Sequence, residues 1–376
     1  MTCQPQIKGW CPGALRPMLS GDGWVVRVRP FSGRLGQAQA DGLATLATAH
    51  GNGVIDLSSR GNIQLRGVRL ESLDPLRDGL RHLSLLDPDA ETESRRNVLV
   101  TPFWEVGDQT ELFAAELTKA LAPKDAPELP GKFGFAIDTG RLPVLQGGSA
   151  DIRLECDAAG GFILVADGAK TGKSVTVATA VPEALALAKW FAEIRGTNKR
   201  MATCIDAGLG LPAGHVVPRQ TQNFDPKPGH SLQGSLVGLA FGQMKAETLA
   251  TLAKHGALRM TPWRLMLVEG AQTLPDIDGV ITDPADPLLR VAACIGAPGC
   301  PQALGTTRDL VRALAAHVEL GEILHISGCA KGCAHPRAAS ITVIATAEGY
   351  ALTRNGTAAG EPDHNDLTIQ TLIKAI

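Results

Sequence analysis

The chain has no surplus of either charge: 36 Lys and Arg stand against 38 Asp and Glu, a formal net charge of −2. A general nucleic-acid binder would need cations to exchange for counterions, so that class is set aside. No apolar run approaches the length that crosses a bilayer, and no membrane role is expected. The first residues, Met1-Thr-Cys-Gln-Pro-Gln6, show no basic segment followed by an apolar one, so no secretory leader is expected. Reduced cysteines in a cytoplasmic protein follow as the expectation.

Familiar nucleotide fingerprints are also missing. Gly168-Ala-Lys-Thr-Gly-Lys-Ser174 is one residue short of a phosphate-binding loop, and the following Val175–Thr179 reads as a strand where that motif demands a helix. No glycine-rich fingerprint opens a strand–helix–strand unit. NADH, as ultimate electron donor, is therefore expected to act through a separate reductase.

What the chain does have is four cysteines in two pairs, Cys294-x5-Cys300 and Cys329-x3-Cys333, set among Gly and Pro. Thiolates on sharply turning loops suit a metal or cluster that backbone must wrap closely. The spacings fit neither zinc ribbons nor the ferredoxin CxxCxxC run, and a [4Fe–4S] cluster is favoured over zinc. A helix starting beside Cys300 is expected to favour its thiolate. Cys3, Cys11, Cys156 and Cys204 show no such spacing and read as ordinary thiols. His50, His255, His317, His325 and His335 read as core or helix-end residues, with His335 the best placed for chemistry.

The chain is also built twice. Leu43-Ala-Thr-Leu-Ala47 recurs as Leu249-Ala-Thr-Leu-Ala253, each on an Ala-rich helix that runs through His-Gly into a strand ending in arginine, Arg60 and Arg264. Hairpin-like strands follow each copy, at 150–168 and 339–356, with helices at 182–194 and 307–317. The order is A–B–A′–B′, and only B′ carries the four cysteines. A pseudo-twofold body with one site where the halves meet is one reading, and two independent domains the other.

These residues resemble the siroheme and iron–sulfur nitrite/sulfite reductase family over nearly the whole chain. The resemblance implies an α+β, internally duplicated, pseudo-twofold fold in which ferredoxin-like half-domains (1–90 and 207–285) alternate with mixed α/β domains (91–206 and 286–376). Ser59–Arg66, Arg96-Asn-Val98 and Leu129-Pro-Gly-Lys-Phe133 look like the family's tetrapyrrole-facing segments. Arg60, Arg66, Arg96 and Lys132 are thereby implied to bind tetrapyrrole carboxylates in a shared cavity, with Arg219 and Arg259 from the second copy; Cys294, Cys300, Cys329 and Cys333 are implied as cluster ligands. Sulfite reductases carry a second lysine where this chain has Gly134. The run Gly9–Gly23, followed by Arg27-Val-Arg-Pro30, instead looks like a branch that hydroxylates a cobalamin precursor. That branch converts precorrin-3A, dioxygen and reducing equivalents to precorrin-3B, hydroxylated at C20 with a γ-lactone, and implies a mononuclear non-haem iron whose ligands no spacing reveals. The rival expectations are an assimilatory sulfite or nitrite reductase that binds siroheme, and a non-catalytic tetrapyrrole carrier.

Overall fold

A computed structural model describes residues 11–124 and 126–376; Cys3 and the Met1–Gln6 segment lie outside them. The duplication is visible element by element. Strand Gly23–Val28, a 3-10 turn Phe31–Gly33, strand Arg34–Leu35, helix Gln37–His50 and strands Val54–Leu57 and Ile63–Val68 recur in order. Their counterparts are Gly234–Leu239, Ala240–Gly242, Gln243–Lys245, helix Ala246–Ala253, Leu258–Met260 and Leu265–Glu269.

The two copies exchange strands. Gln243–Lys245 pairs antiparallel with Val54–Leu57, Gln243 opposite Asp56, while Arg34–Leu35 pairs with Leu258–Met260, Leu35 opposite Leu258. Each exchange begins at a left-handed turn, Ser32 (φ 51°) and Gly33 (φ 66°) in the first copy, Phe241 (φ 62°) and Gly242 (φ 70°) in the second. The turn swings the next strand out of its own sheet and into its partner's.

Burial follows the same reciprocity. Ala40, Leu43, Ala44 and Ala47 recur at the 3.6-residue period on one helix face, and their small side chains let this helix pack on Ala246–Ala253. Leu35, Leu43, Ile55, Leu249, Leu252 and Leu258 are fully buried in one shared core. The halves are thus one body, and the reading as two independent domains is set aside.

Each copy is followed by an α/β unit. In the first, parallel strands Val98–Val100, Phe135–Asp138 and Ile152–Cys156 continue antiparallel through Phe162–Ala166, Thr171–Val175 and His215–Pro218. In the second, parallel strands Val291–Ala293, Leu324–Ser327 and Ala339–Ala345 continue antiparallel through Tyr350–Gly356 and His364–Leu367. The expected hairpins are present. The strand expected over Val175–Thr179 lies earlier: Thr171–Val175 is strand, so the last four residues of the phosphate-loop look-alike are extended backbone. Among the described residues no helix is long and apolar enough to cross a membrane.

One buried acid fixes a loop of the first α/β unit. Asp138, 1% exposed, accepts the backbone N–H groups of Val144 (2.7 Å) and Leu145 (2.6 Å), and Arg153 donates to the Leu145 and Gly148 carbonyls. Together they fix the loop that carries Gly147 to Ser149. Burial, opposed in part by the Leu145 N–H, pushes the Asp138 carboxyl up to about 6. A raised carboxyl contributes stability below its unfolded value of 3.8 and loses it as pH rises through about 6. Asp138→Asn has no charge to bury, so the stability difference between variant and wild type should move in the variant's favour by about 2 kcal/mol between pH 4 and pH 7. Denaturant titrations across that range check it; a difference that stays flat with pH contradicts it.

Candidate functional site

Strands Val291–Ala293 and Leu324–Ser327 run parallel and deliver the two cysteine loops side by side. Cys294 follows directly on the first, its N–H donating to the Ile326 carbonyl (3.3 Å). Cys329 lies just beyond the second, and the Gly328 N–H donates to the Cys294 sulfur (3.2 Å), which binds one loop to the other. The Cys300 N–H closes its own loop on the Gly296 carbonyl (2.8 Å). Gly296 is required there: its φ is 68°, and a Cβ would stand 2.6 Å from Thr307 Oγ1.

All four cysteines line one cavity of about 830 Å³ that also touches both half-domains. Burial pushes the Cys333 thiol up; Lys331 opposes this, and the thiols of Cys294, Cys329 and Cys300 add to it, so the four groups sense one another. The seven cysteines of the described residues are free. Among those residues no three His, Cys, Asp or Glu side chains stand close enough to hold a single metal ion. Four thiols arranged around a space fit a cluster, which spreads its ligands, better than a zinc bonded to each sulfur at about 2.3 Å. The mononuclear iron implied by the resemblance finds no three-residue ligand set among the described residues, which do not fit it.

The expected helix start beside Cys300 is corrected: the helix is Arg308–Leu314, beginning eight residues later in the chain, and its N-cap Thr307 donates to the Cys294 carbonyl (2.7 Å). The loop docks instead on the first copy. Ser20 Oγ (2.7 Å) and the Gly21 N–H (3.1 Å) donate to the Gly299 carbonyl, an approach only glycine allows at 21, where a Cβ would stand 2.2 Å from the Pro298 oxygen.

The expected shared set of cations comes apart. Only Arg66 lines the cavity. It forks onto Asp22 (3.0 and 2.7 Å) and reaches the Gly299 carbonyl. Arg60 donates to the carbonyl of exposed Lys132 (2.9 Å), so these two stand together, with Arg60's neighbour Ser59 on the cavity wall. Burial lowers the pKa of Arg60.

Arg96, Arg219 and Arg259 do not line the cavity, each held by a partner of its own. Arg96 is buried and forks onto Asp87 (2.8 and 2.7 Å). Arg219 forks onto Glu155 (2.7 and 2.6 Å). Arg259 binds Glu269 (2.6 Å) and the carbonyls of Pro102 and Trp104, with its guanidinium over the Trp104 ring.

In their place the cavity holds Arg264 and Arg308. Arg264, at φ 63°, donates to the Val291 (2.9 Å) and Ala334 (3.1 Å) carbonyls. Its pKa is lowered by burial and then by Arg308. The repeat held the signal for Arg264, because it closes the second copy's strand as Arg60 closes the first. Nothing in the sequence distinguished Arg308.

Of the histidines, His335 lines the cavity, with His325 behind it at 5.8 Å between ring centres. His325 is fully buried, and burial, followed by the charges of His335 and Arg264, lowers it to about 4. Cys156 and Cys204 are buried in the first α/β unit, as expected of ordinary thiols, and Cys11 does not line the cavity. The first unit's matching loop, 101–108, has no cysteine.

A duplicated body with exchanged half-domain strands and one thiol-lined cavity between copies has the fold of the nitrite/sulfite reductases. Residues 16–83 match the nitrite/sulfite reductase ferredoxin-like half domain, and the NirA protein of Mycobacterium tuberculosis superimposes with a TM-score of 0.62 at 17% identity, over 93% of this chain and 79% of that one. A ferredoxin–nitrite reductase of Leptolyngbya laminosa is 24% identical over 90% of this chain and 79% of its own length. A precorrin-3B synthase of Sinorhizobium sp is 30% identical over 94% of this chain and 84% of its own length. The chain belongs to the precorrin-3B synthase family.

Proposed function

We propose that this chain is a monooxygenase that converts precorrin-3A to precorrin-3B in aerobic cobalamin biosynthesis, hydroxylating C20 with dioxygen and closing a γ-lactone. The observation that supports it is the single cavity joining four free thiols to arginines of both copies, in a chain 30% identical to a precorrin-3B synthase. Cys294, Cys300, Cys329 and Cys333 would hold a [4Fe–4S] cluster, which when bound supplies single electrons. Arg66, Arg264 and Arg308 receive carboxylates of the macrocycle, whose charge needs cations once water is left behind. The loop carrying Gly147 to Ser149 lines the same cavity as the cysteine loops and would help orient the substrate there. Electrons come from NADH through a separate reductase, in the cytoplasm.

A siroheme-dependent sulfite or nitrite reductase needs cations around an oxyanion and protons as its oxygens depart. Lys132 is exposed, and position 134 offers no ammonium. With reduced methyl viologen as donor, the protein is expected to consume neither sulfite nor nitrite above the rate without protein. Its spectrum should show a broad iron–sulfur shoulder without siroheme bands. Gly134→Lys alone should not change this: a Cβ there stands 3.1 Å from the Asn97 carbonyl and 3.5 Å from Arg60 Nη1, which sets the new cation against an existing one. Robust sulfite reduction by the wild type overturns the proposal.

A further inference from the structure

Among the described residues Asp56 is the one acid that lines the cavity, whose lining also includes Arg66, Arg264, Arg290, Arg308, Lys331 and Arg337. It is 7% exposed and joins three parts of the molecule. It sits on Val54–Leu57 of the first half-domain, accepts from Gln243 of the exchanged strand (3.2 Å) and meets Arg308 of the second α/β unit.

Its hold on Arg308 is loose. Both terminal nitrogens of Arg308 reach the same oxygen, Oδ1, at 3.3 Å each, where a well-formed fork takes two oxygens at about 2.7–2.9 Å. Arg308 Nε is buried without a partner. The other cavity arginines that are shielded from solvent are more firmly held: Arg66 by Asp22, Arg264 by two carbonyls, Arg290 by the Ala285 and Val318 carbonyls. Arg337 is exposed, so Arg308 is the solvent-shielded cavity arginine with the most donor capacity to offer. Asp56 is not stranded if it lets go, because Gln243 stays on Oδ1 and Arg66 Nε stands 3.7 Å from Oδ2.

We infer that Asp56 is an internal counter-ion for Arg308 that a ligand carboxylate displaces, so that binding at this cation is an exchange of one carboxylate for another. Asp56 is then a positioning and selectivity residue: it keeps the empty cavity partly neutralised and weakens binding of anions that cannot offer Arg308 a two-oxygen fork. The inference rests on reading the cavity as a polycarboxylate tetrapyrrole site.

The test uses the full chain with its cluster and uroporphyrin III, an octacarboxylate porphyrin, as the fluorescent probe. Arg308→Met should weaken binding about tenfold, the loss of charge-assisted bonds. Asp56→Asn should tighten it about fivefold by removing the competitor, and that gain should vanish in the Arg308→Met background. A second arm needs no tetrapyrrole: phenylglyoxal should label Arg308, followed by peptide mapping, several-fold faster in Asp56→Asn than in wild type. Unchanged or weaker porphyrin binding by Asp56→Asn, a gain that survives without Arg308, or unchanged labelling overturns the inference. A wild type that does not bind uroporphyrin removes the tetrapyrrole reading, while the labelling arm still decides the exchange. Should Asp56→Asn not fold, the Arg308→Met variant carries the test, and unchanged porphyrin affinity in it overturns the inference.

Discussion

Serine in place of any one of Cys294, Cys300, Cys329 or Cys333 is expected to bring bound iron and acid-labile sulfide to background and to abolish activity with them. A hard hydroxyl is a poor partner for iron beside three soft thiolates, and the two loops are tied together by the Gly328 N–H to the Cys294 sulfur. Cys156→Ser and Cys204→Ser are the controls. Cys156 donates to the Thr139 carbonyl (3.3 Å) and Cys204 is 2% exposed in the first unit's core. The Cys204 change should lower stability by about 1–3 kcal/mol, the cost of burying a hydroxyl without a partner, and leave iron content whole. Iron and sulfide assays on the six variants decide it. Full cluster content in two or more of the first four contradicts the assignment.

Asp87→Ala is expected to destabilise the fold by about 3–5 kcal/mol, because it strands a buried guanidinium. Arg96 and Asp87 are 5% and 3% exposed. Arg96 also donates to the Arg29 carbonyl (2.9 Å) and lies 4.0 Å over the Phe31 ring. Arg29 is already pressed down to about 10, first by burial and then, against the pull of Glu93, by Arg27 and Arg96. Without Asp87, these like charges lose one of the two acids among them. Arg96→Met should cost stability too, yet leave uroporphyrin affinity within about twofold, where Arg308→Met loses about tenfold. Denaturation and porphyrin titration on the same samples separate the two roles. A large loss of porphyrin affinity in Arg96→Met with stability kept would return Arg96 to the binding set.

These arginines show what a sequence can and cannot disclose. Arg96 and Arg308 differ in role because Asp87 lies nine residues before one and Asp56 reaches the other from 252 positions away. Pairings made by tertiary contact leave no local trace. The duplication was legible because Leu43 to Ala47 and Leu249 to Ala253 keep the same letters on the same helix face. The strand exchange was not, since Arg34–Leu35 and Gln243–Lys245 are two and three residues long, and the turns that redirect them use Ser32 and Phe241 rather than a lone glycine. The four cysteines stood out by spacing among Gly and Pro, and the structure sets all four on the lining of one cavity. The helix expected beside Cys300 was not there, because 301–307 continue as a loop, and helix begins only at Arg308.

The central claim is that a tetrapyrrole enters the thiol-lined cavity as substrate rather than as a siroheme cofactor. Anaerobically purified protein, given precorrin-3A, a reductant and isotopically labelled dioxygen, tests it most directly. The account predicts a product carrying one oxygen atom from dioxygen at C20 and a closed γ-lactone. Precorrin-3A recovered unlabelled from protein that holds its full iron and sulfide would contradict it.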